Sequence, residues 1–205
     1  MLRLNNYEKI VRANIEAVYK NDLKDVEQFL PADRSGLDFA FRAFGRDCRI
    51  SPEGIFLSEE KQIGPLGIVI SLYALSAGPE KPILAPLKAF KEFPDSMPYA
   101  GAFSTHTEQL LIPRVSEISN RRLEIMDILD GGNPPENVPG DFSFLVFPLP
   151  KIGLCYIFYE ADEDFPAGVT CLYTNNASSF IPIDGLADVG EYTSRTIINL
   201  IEPKR

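Results

Sequence analysis

The hydrophobic positions of this chain alternate between a helical and an extended rhythm, and the changes of rhythm predict its elements. Near the start, Tyr7, Ile10, Val11, Ile15, Val18, Tyr19, Leu23, Val26 and Leu30 keep three-four spacing with Lys, Glu and Asp between them. That predicts one amphipathic helix over 5–30, ended by Pro31. A period of two then takes over. Phe39 and Phe41 share one face of a strand over 37–44, Gly45-Arg46-Asp47 reads as a hairpin turn into Cys48-Arg49-Ile50, and Pro52-Glu53-Gly54 as a second turn into Ile55-Phe56-Leu57. Three short antiparallel strands follow. Phe39, Phe41 and Phe44 at this spacing read as core residues and not as a base-stacking platform.

Gly64-Pro65-Leu66 opens a second helix that runs to about Ala77 and stops at Gly78-Pro79. Five prolines (79, 82, 86, 94 and 98) make 79–101 an extended connector with at most one short strand around 84–90. Thr105-His106-Thr107-Glu108 has the T-x-x-E form of a capping box, which puts His106 in the first turn of a helix. A longer helix from near Pro113 carries Val115, Ile118, Ile125, Met126 and Leu129 as its buried stripe, with Gly131-Gly132 as its stop. After a Pro- and Asn-rich loop over 133–140, strands are predicted at 142–147, 152–159 and 168–173. Phe147-Pro148-Leu149-Pro150 forms a rigid corner between the first two. A single helical turn at 175–180 precedes a closing helix N-capped by Asp184, with Leu186, Val189, Ile197, Ile198 and Ile201 inward. The whole reads as α+β: a single domain over 1–205 with a largely antiparallel sheet packed by about four to five helices.

Composition narrows the class. A chain of 205 residues, 45% hydrophobic, is globular and long enough to bury a sizeable core. Its most apolar window, 66–77, falls short of the roughly twenty residues a bilayer requires, and 1–6 turn polar too early for a signal peptide. Cys48, Cys155 and Cys171 are scattered, with no C-x-x-C spacing, which predicts reduced core thiols and a cytoplasmic location. A net charge of −9 disfavours nucleic acid and anionic membranes as partners. The charge is uneven: residues 123–194 hold twelve Asp or Glu against the single base Lys151, a local −11 that leaves +2 for the rest.

That asymmetry singles out the candidate chemistry. Asp162-Glu163-Asp164, just after an apolar strand, could hold a divalent cation, contact a ligand or partner, or form a solvated turn. Neighbours on one strand alternate faces, so a cation would need a further contributor, and Asp141 at the mouth of a strand is the best placed. No EF-hand pattern is present. His106 is the sole histidine, which excludes multi-histidine metal sites and leaves it as the one imidazole base available. There is no G-x-S-x-G elbow, Walker motif or dinucleotide fingerprint. Arg121-Arg122 reads as a solvated helix face.

One order of features is distinctive. Phe39-x-Phe41-x-x-x-Gly45 precedes a helix, a Pro-rich connector, a helix ending in Gly131-Gly132, and then Gly140-Asp141. Phe147-Pro148-Leu149-Pro150, the Asp162-Glu163-Asp164-Phe165-Pro166 block and Cys171-Leu172-Tyr173-Thr174-Asn175-Asn176-Ala177 complete it. Over about 35–198 the chain resembles the prokaryotic domain-of-unknown-function family 3786, found largely in anaerobes. Some members of that family carry an added four-cysteine iron–sulfur domain like that of corrinoid iron–sulfur proteins. The resemblance implies an association with redox or one-carbon metabolism. This chain lacks the four-cysteine motif, so no iron–sulfur cluster of its own is expected.

Three functions compete on these grounds. The first is a small-ligand-binding or enzyme-accessory module, with Asp141, Asp162, Glu163 and Asp164 as ligand contacts and a small molecule or partner protein as occupant. The second is a metal-assisted hydrolase or lyase using the same carboxylates with His106 as base. The third is a structural or oligomerisation domain.

Overall fold

The computed structural model describes residues 6–202. The predicted N-terminal helix is two helices, α1 (Asn6–Val18) and α2 (Leu23–Phe29). The hydrophobic period runs through both, but Asp22 takes an extended backbone and its carboxylate caps the Lys24 N–H at 2.8 Å, starting a new helix.

A five-stranded antiparallel meander follows in chain order: β1 (Asp33–Ser35), β2 (Asp38–Ala43), β3 (Arg46–Ser51), β4 (Gly54–Leu57) and β5 (Glu60–Lys61). β1 and β5 were not anticipated. They are short, polar and exposed, so they carry no hydrophobic alternation. The β2–β3 turn is Phe44-Gly45, with φ of 50° and 74°, which moves Arg46 and Asp47 from the expected turn into β3. Positive φ at both central residues matches the twist of a two-residue hairpin. α1 and α3 (Pro65–Ser76) pack together and onto β4, over a face built from Phe39, Ile50, Ile55 and Leu57.

The remaining strands form a second antiparallel sheet, β6 (Lys88–Ala89), β7 (Phe142–Leu149), β8 (Ile152–Tyr159) and β9 (Gly168–Tyr173), in the order β6-β9-β8-β7. The corner expected at 147–150 belongs to β7, which bulges between Val146 and Leu149. Pro148 is tolerated because β7 is an edge strand. Its carbonyl accepts the Phe44 N–H at 2.7 Å, so the bulge joins the two sheets. β8 is buried on both faces, and this accounts for its unbroken apolar run. Its outer face, with Cys155, Ile157 and the neighbouring Leu145, packs against Leu87 and Val138 from loops.

The connector also hides a helix. α4 (Met97–Phe103) continues into a π-helical turn, Ser104–Gln109, so Thr105-x-x-Glu108 lies inside a helix and caps nothing. Glu108 instead accepts the Cys171 N–H of β9 at 3.0 Å. Asn175 and Asn176 hold the Pro-rich segment down: their side chains bind the carbonyls of Pro86 and Lys81, and Asn176 accepts from the Ile83 N–H. α5 (Val115–Ile128) buries Val115, Ile118 and Ile125, and Arg121 pairs with Glu124 on its solvent side. Its left-handed stop is Asp130 (φ 51°), not a glycine; Gly131 is required for another reason, since a Cβ there would meet the Leu145 carbonyl at 2.6 Å.

α6 (Ile183–Ile201) packs against α3, α4, α5 and the π-helical turn. Pro182 is its N-cap residue, and Asp184 sits in the first turn, where a negative charge suits the helix dipole. The buried face is small and polar at its centre: Gly190, Thr193 and Ser194. The Ser194 and Tyr156 hydroxyls lie 2.9 Å apart, and Ser194 donates to the Thr107 carbonyl at 2.8 Å. Tyr173 donates to the Leu186 carbonyl at 2.8 Å. One continuous buried cluster runs through both sheets, with Phe39, Phe41 and Phe44 within it as expected. Among the described residues, six α-helices and two antiparallel sheets bear out the α+β class, and no helix is long and apolar enough to cross a membrane.

Two predictions follow from this packing. A Cβ at Gly190 would stand 2.6 Å from the Phe103 ring, 2.7 Å from the Tyr173 hydroxyl and 2.8 Å from the Thr107 hydroxyl. Gly190→Ala should therefore lower the unfolding free energy by about 1–3 kcal/mol, the usual range for overpacking, in urea melts. The second concerns alkaline pH. Burial pushes the Cys48 and Cys155 thiols up to about 12 and raises Cys171, Tyr156 and Tyr173 well above their ordinary values. The folded state then keeps protons that the unfolded chain loses, so stability should be full below about pH 8.5 and fall steadily toward pH 12. Burial lowers the Lys151 ammonium and acts in the opposite sense, but it is one group against five. Stability that rises between pH 9 and 11 in thermal melts would contradict this.

Candidate functional site

Arg42 lies on the solvent side of β2, whose alternate residues Phe39, Phe41 and Ala43 are buried. Its guanidinium crosses to the end of α5. Nε donates to Asp130 at 3.1 Å and Nη2 to the Ile128 carbonyl at 3.1 Å. The same group binds Asp47, its cross-strand partner, at 3.3 Å and the Gly45 carbonyl at 2.9 Å. The left-handed backbone of Asp130, one residue past the Leu129 C-cap, places that carboxylate within reach of the arginine.

Arg42 stands on the rim of an open cleft of about 640 Å³ at the seam between the two sheets. Asp33, Asp47 and Asp130 share the rim, while Phe41, Ala40, Phe147, Pro31 and Pro150 supply apolar surface. Three carboxylates face one guanidinium, a net −2. Asp33 makes no side-chain hydrogen bond or ion pair among the described residues, so its charge is unspent. Cys48 also lines the cleft, but burial raises its pKa to about 12 and keeps the thiol neutral at physiological pH.

The sequence-predicted carboxylates lie at the opposite end of β7 and β8 from this cleft. Asp141 precedes β7, donates its N–H to the Phe158 carbonyl at 2.9 Å, and accepts the Glu160 N–H on its carboxylate at 2.7 Å. Asp162 accepts the N–H groups of Asp164 and Phe165 at 2.9 and 2.7 Å, an Asx turn closed on itself. The structure thus brings Asp141 beside Glu160 at the start of the acidic turn, while Asp162, Glu163 and Asp164 are all exposed on that turn. His106 is exposed on the π-helical turn, not at a helix start, and shares no hydrogen bond or ion pair with these carboxylates among the described residues. Among the described residues no group of three or more His, Cys, Asp or Glu is arranged to hold a metal ion.

Lys151, the lone base of the acidic stretch, is only 4% exposed. Its ammonium donates to the Gly78 carbonyl just past α3 at 2.6 Å and lies 5.4 Å from the Phe180 ring centroid. A cation beyond a helix C-terminus is favourably placed against the dipole. It ties the β7–β8 turn, whose Pro150 lines the cleft, to the end of α3.

Sequence reasoning missed the cleft because its charges come from four separate segments. Arg42 and Asp130 are 88 positions apart. One signal was legible: Asp130 sits immediately before Gly131-Gly132, where a helix stop can turn a carboxylate away from the helix axis.

Fold and site together define an α+β protein of two antiparallel sheets, with a carboxylate-rimmed cleft at their seam. The chain belongs to the family described as domain of unknown function (DUF3786), whose model matches residues 22–196. Every residue lining the cleft falls within that span. No curated protein and no solved structure matches the chain significantly.

Arg42→Gln should loosen the seam. Its side chain is 43% exposed, so its ion pairs are worth little, and the two carbonyls it satisfies matter more. The expected loss is about 1–2 kcal/mol in denaturant unfolding, with the Lys substitution recovering only part of it.

Proposed function

We propose that this protein is a cytoplasmic small-ligand-binding module that takes an organic cation, an amine with an apolar body, in the cleft between its sheets. The observation that carries the reading is the cleft's composition: three carboxylates against one guanidinium, above an apolar floor. Its volume of about 640 Å³ lies inside the range of roughly 300–1,000 Å³ usual for small-molecule sites, which favour interfaces between structural units. An ammonium group meets an unspent carboxylate at Asp33. Asp47 and Asp130 already share Arg42 and add a weaker field. An anionic head group would face net repulsion in the same place. The cytoplasmic assignment is supported by Cys48, Cys155 and Cys171, all unpaired and buried.

Isothermal titration with hexylamine, hexanol and hexanoate tests the reading. Hexylamine should bind tighter than hexanol, and any heat from hexanoate should be unchanged when the carboxylates of the cleft are removed. The Asp33→Asn/Asp47→Asn double variant removes two exposed charges without touching the core, and should weaken hexylamine binding about tenfold, the scale of one charge-assisted contact. If hexanol binds as well as hexylamine, or the double variant binds unchanged, the assignment is wrong.

A further inference from the structure

On the other side of the β2–β3 turn from the cleft lies a second cavity of about 420 Å³, between that turn and the C-terminal half of α6. Its ionisable character is reversed. Arg46 and Arg195 line it, and no carboxylate does, in a chain whose net charge is −9. Each guanidinium has a carboxylate partner outside the lining, Glu60 at 3.0 Å and Glu191 at 2.8 Å, and among the described residues each leaves its Nη1 without a hydrogen-bond acceptor. Tyr192 and Asn199 also line the cavity, and the polar side-chain atoms of both are without a hydrogen-bond partner among the described residues. Phe44, Leu66, Ile128 and Leu200 supply the apolar part of the wall, and Gly45 and Thr196 complete it.

The wall is also fixed in place. Phe44 holds a positive φ of 50°, an unusual conformation for a bulky residue, and its ring is 3% exposed with its edge against Tyr192 at 6.1 Å. The neighbouring Gly45 is wedged against α5, where a Cβ would meet the Ile128 side chain at 2.7 Å.

We propose that this cavity binds a small organic anion: a carboxylate head held by the free Nη1 groups of Arg46 and Arg195 and by the Asn199 amide, with a short apolar body over Phe44 and Leu66. Each arginine offers one nitrogen, so the two oxygens of the carboxylate are met by one charge-assisted hydrogen bond from each guanidinium. The apolar lining sets the second requirement, since a bare inorganic anion leaves that surface wet. The site is independent of the cation cleft, and either can fail without the other.

The test is an NMR titration of the 15N-labelled protein with hexanoate, inorganic phosphate and hexylamine. Hexanoate should shift the amides of Gly45, Arg46 and Asn199. Arg195→Gln, at an exposed position, should weaken that binding about tenfold, and Glu191→Gln should strengthen it by freeing Arg195. Phosphate should bind more weakly than hexanoate, and hexylamine should leave these amides unmoved. The proposal is overturned if hexanoate moves none of them at 10 mM (on the order of the weakest useful affinity), if Arg195→Gln binds as the parent does, or if phosphate binds as tightly as hexanoate.

Discussion

The close seating of α6 on the second sheet is the constraint on which the other arrangements depend. Gly190 has Phe103, Tyr173 and Thr107 at distances no other residue could accept, and Ser194 fills the remaining space by linking the Tyr156 hydroxyl to the Thr107 carbonyl. Polar groups so deep are costly unless paired, so this contact specifies one depth and one rotation of the helix. With α6 in that position, Tyr192 lies against Phe44, and the β2–β3 turn is held between α6 and the end of α5. Both cavities border that turn. Its two faces differ in charge because β2 presents Arg42 to Asp47 and Asp130, while β3 presents Arg46 to the groove beside Arg195.

The joint between the sheets is apolar within and polar at its surface. Among the described residues one backbone hydrogen bond, Phe44 to Pro148, crosses it, and the Arg42 fan ties β2 to the end of α5 at Asp130 and Ile128, above the shared core. A seam of that kind leaves space that neither sheet fills, and the cleft is that space. Lys151 fixes the β7–β8 turn on the far wall by tying it to α3, which belongs to the first sheet's layer. A buried ammonium is an expensive anchor, and Phe180 and the Gly78 carbonyl offset only part of its lost hydration.

Much of the fold was legible because burial and period coincide. β8 and β9 fall at 152–159 and 168–173 as predicted, since one is apolar throughout and the other alternates between turn signals. α3 begins at Pro65 for the reason Pro favours a first turn. What was illegible had no hydrophobic signature or had a misleading one. The edge strands β1 and β5 are polar, α4 hides among prolines, and the apolar stripe shared by α1 and α2 concealed the break at Asp22. Thr105-x-x-Glu108 had the letters of a cap, yet Glu108 is drawn to β9 by the open Cys171 N–H. The acidic block 162–164 stood out in charge, but Asp162 spends its carboxylate closing its own turn. The charges that share a cavity, Arg42 with Asp33, Asp47 and Asp130, were each unremarkable in their local segment, and only the tertiary fold unites them.

The most direct measurement of the central claim is a crystal structure of the protein soaked in saturating hexylamine. The account predicts density for the ammonium within hydrogen-bond distance of Asp33 and of at least one of Asp47 and Asp130, with the alkyl chain along Phe41 and Phe147. An empty seam at saturation, or the amine bound instead at the 162–164 turn, would contradict it.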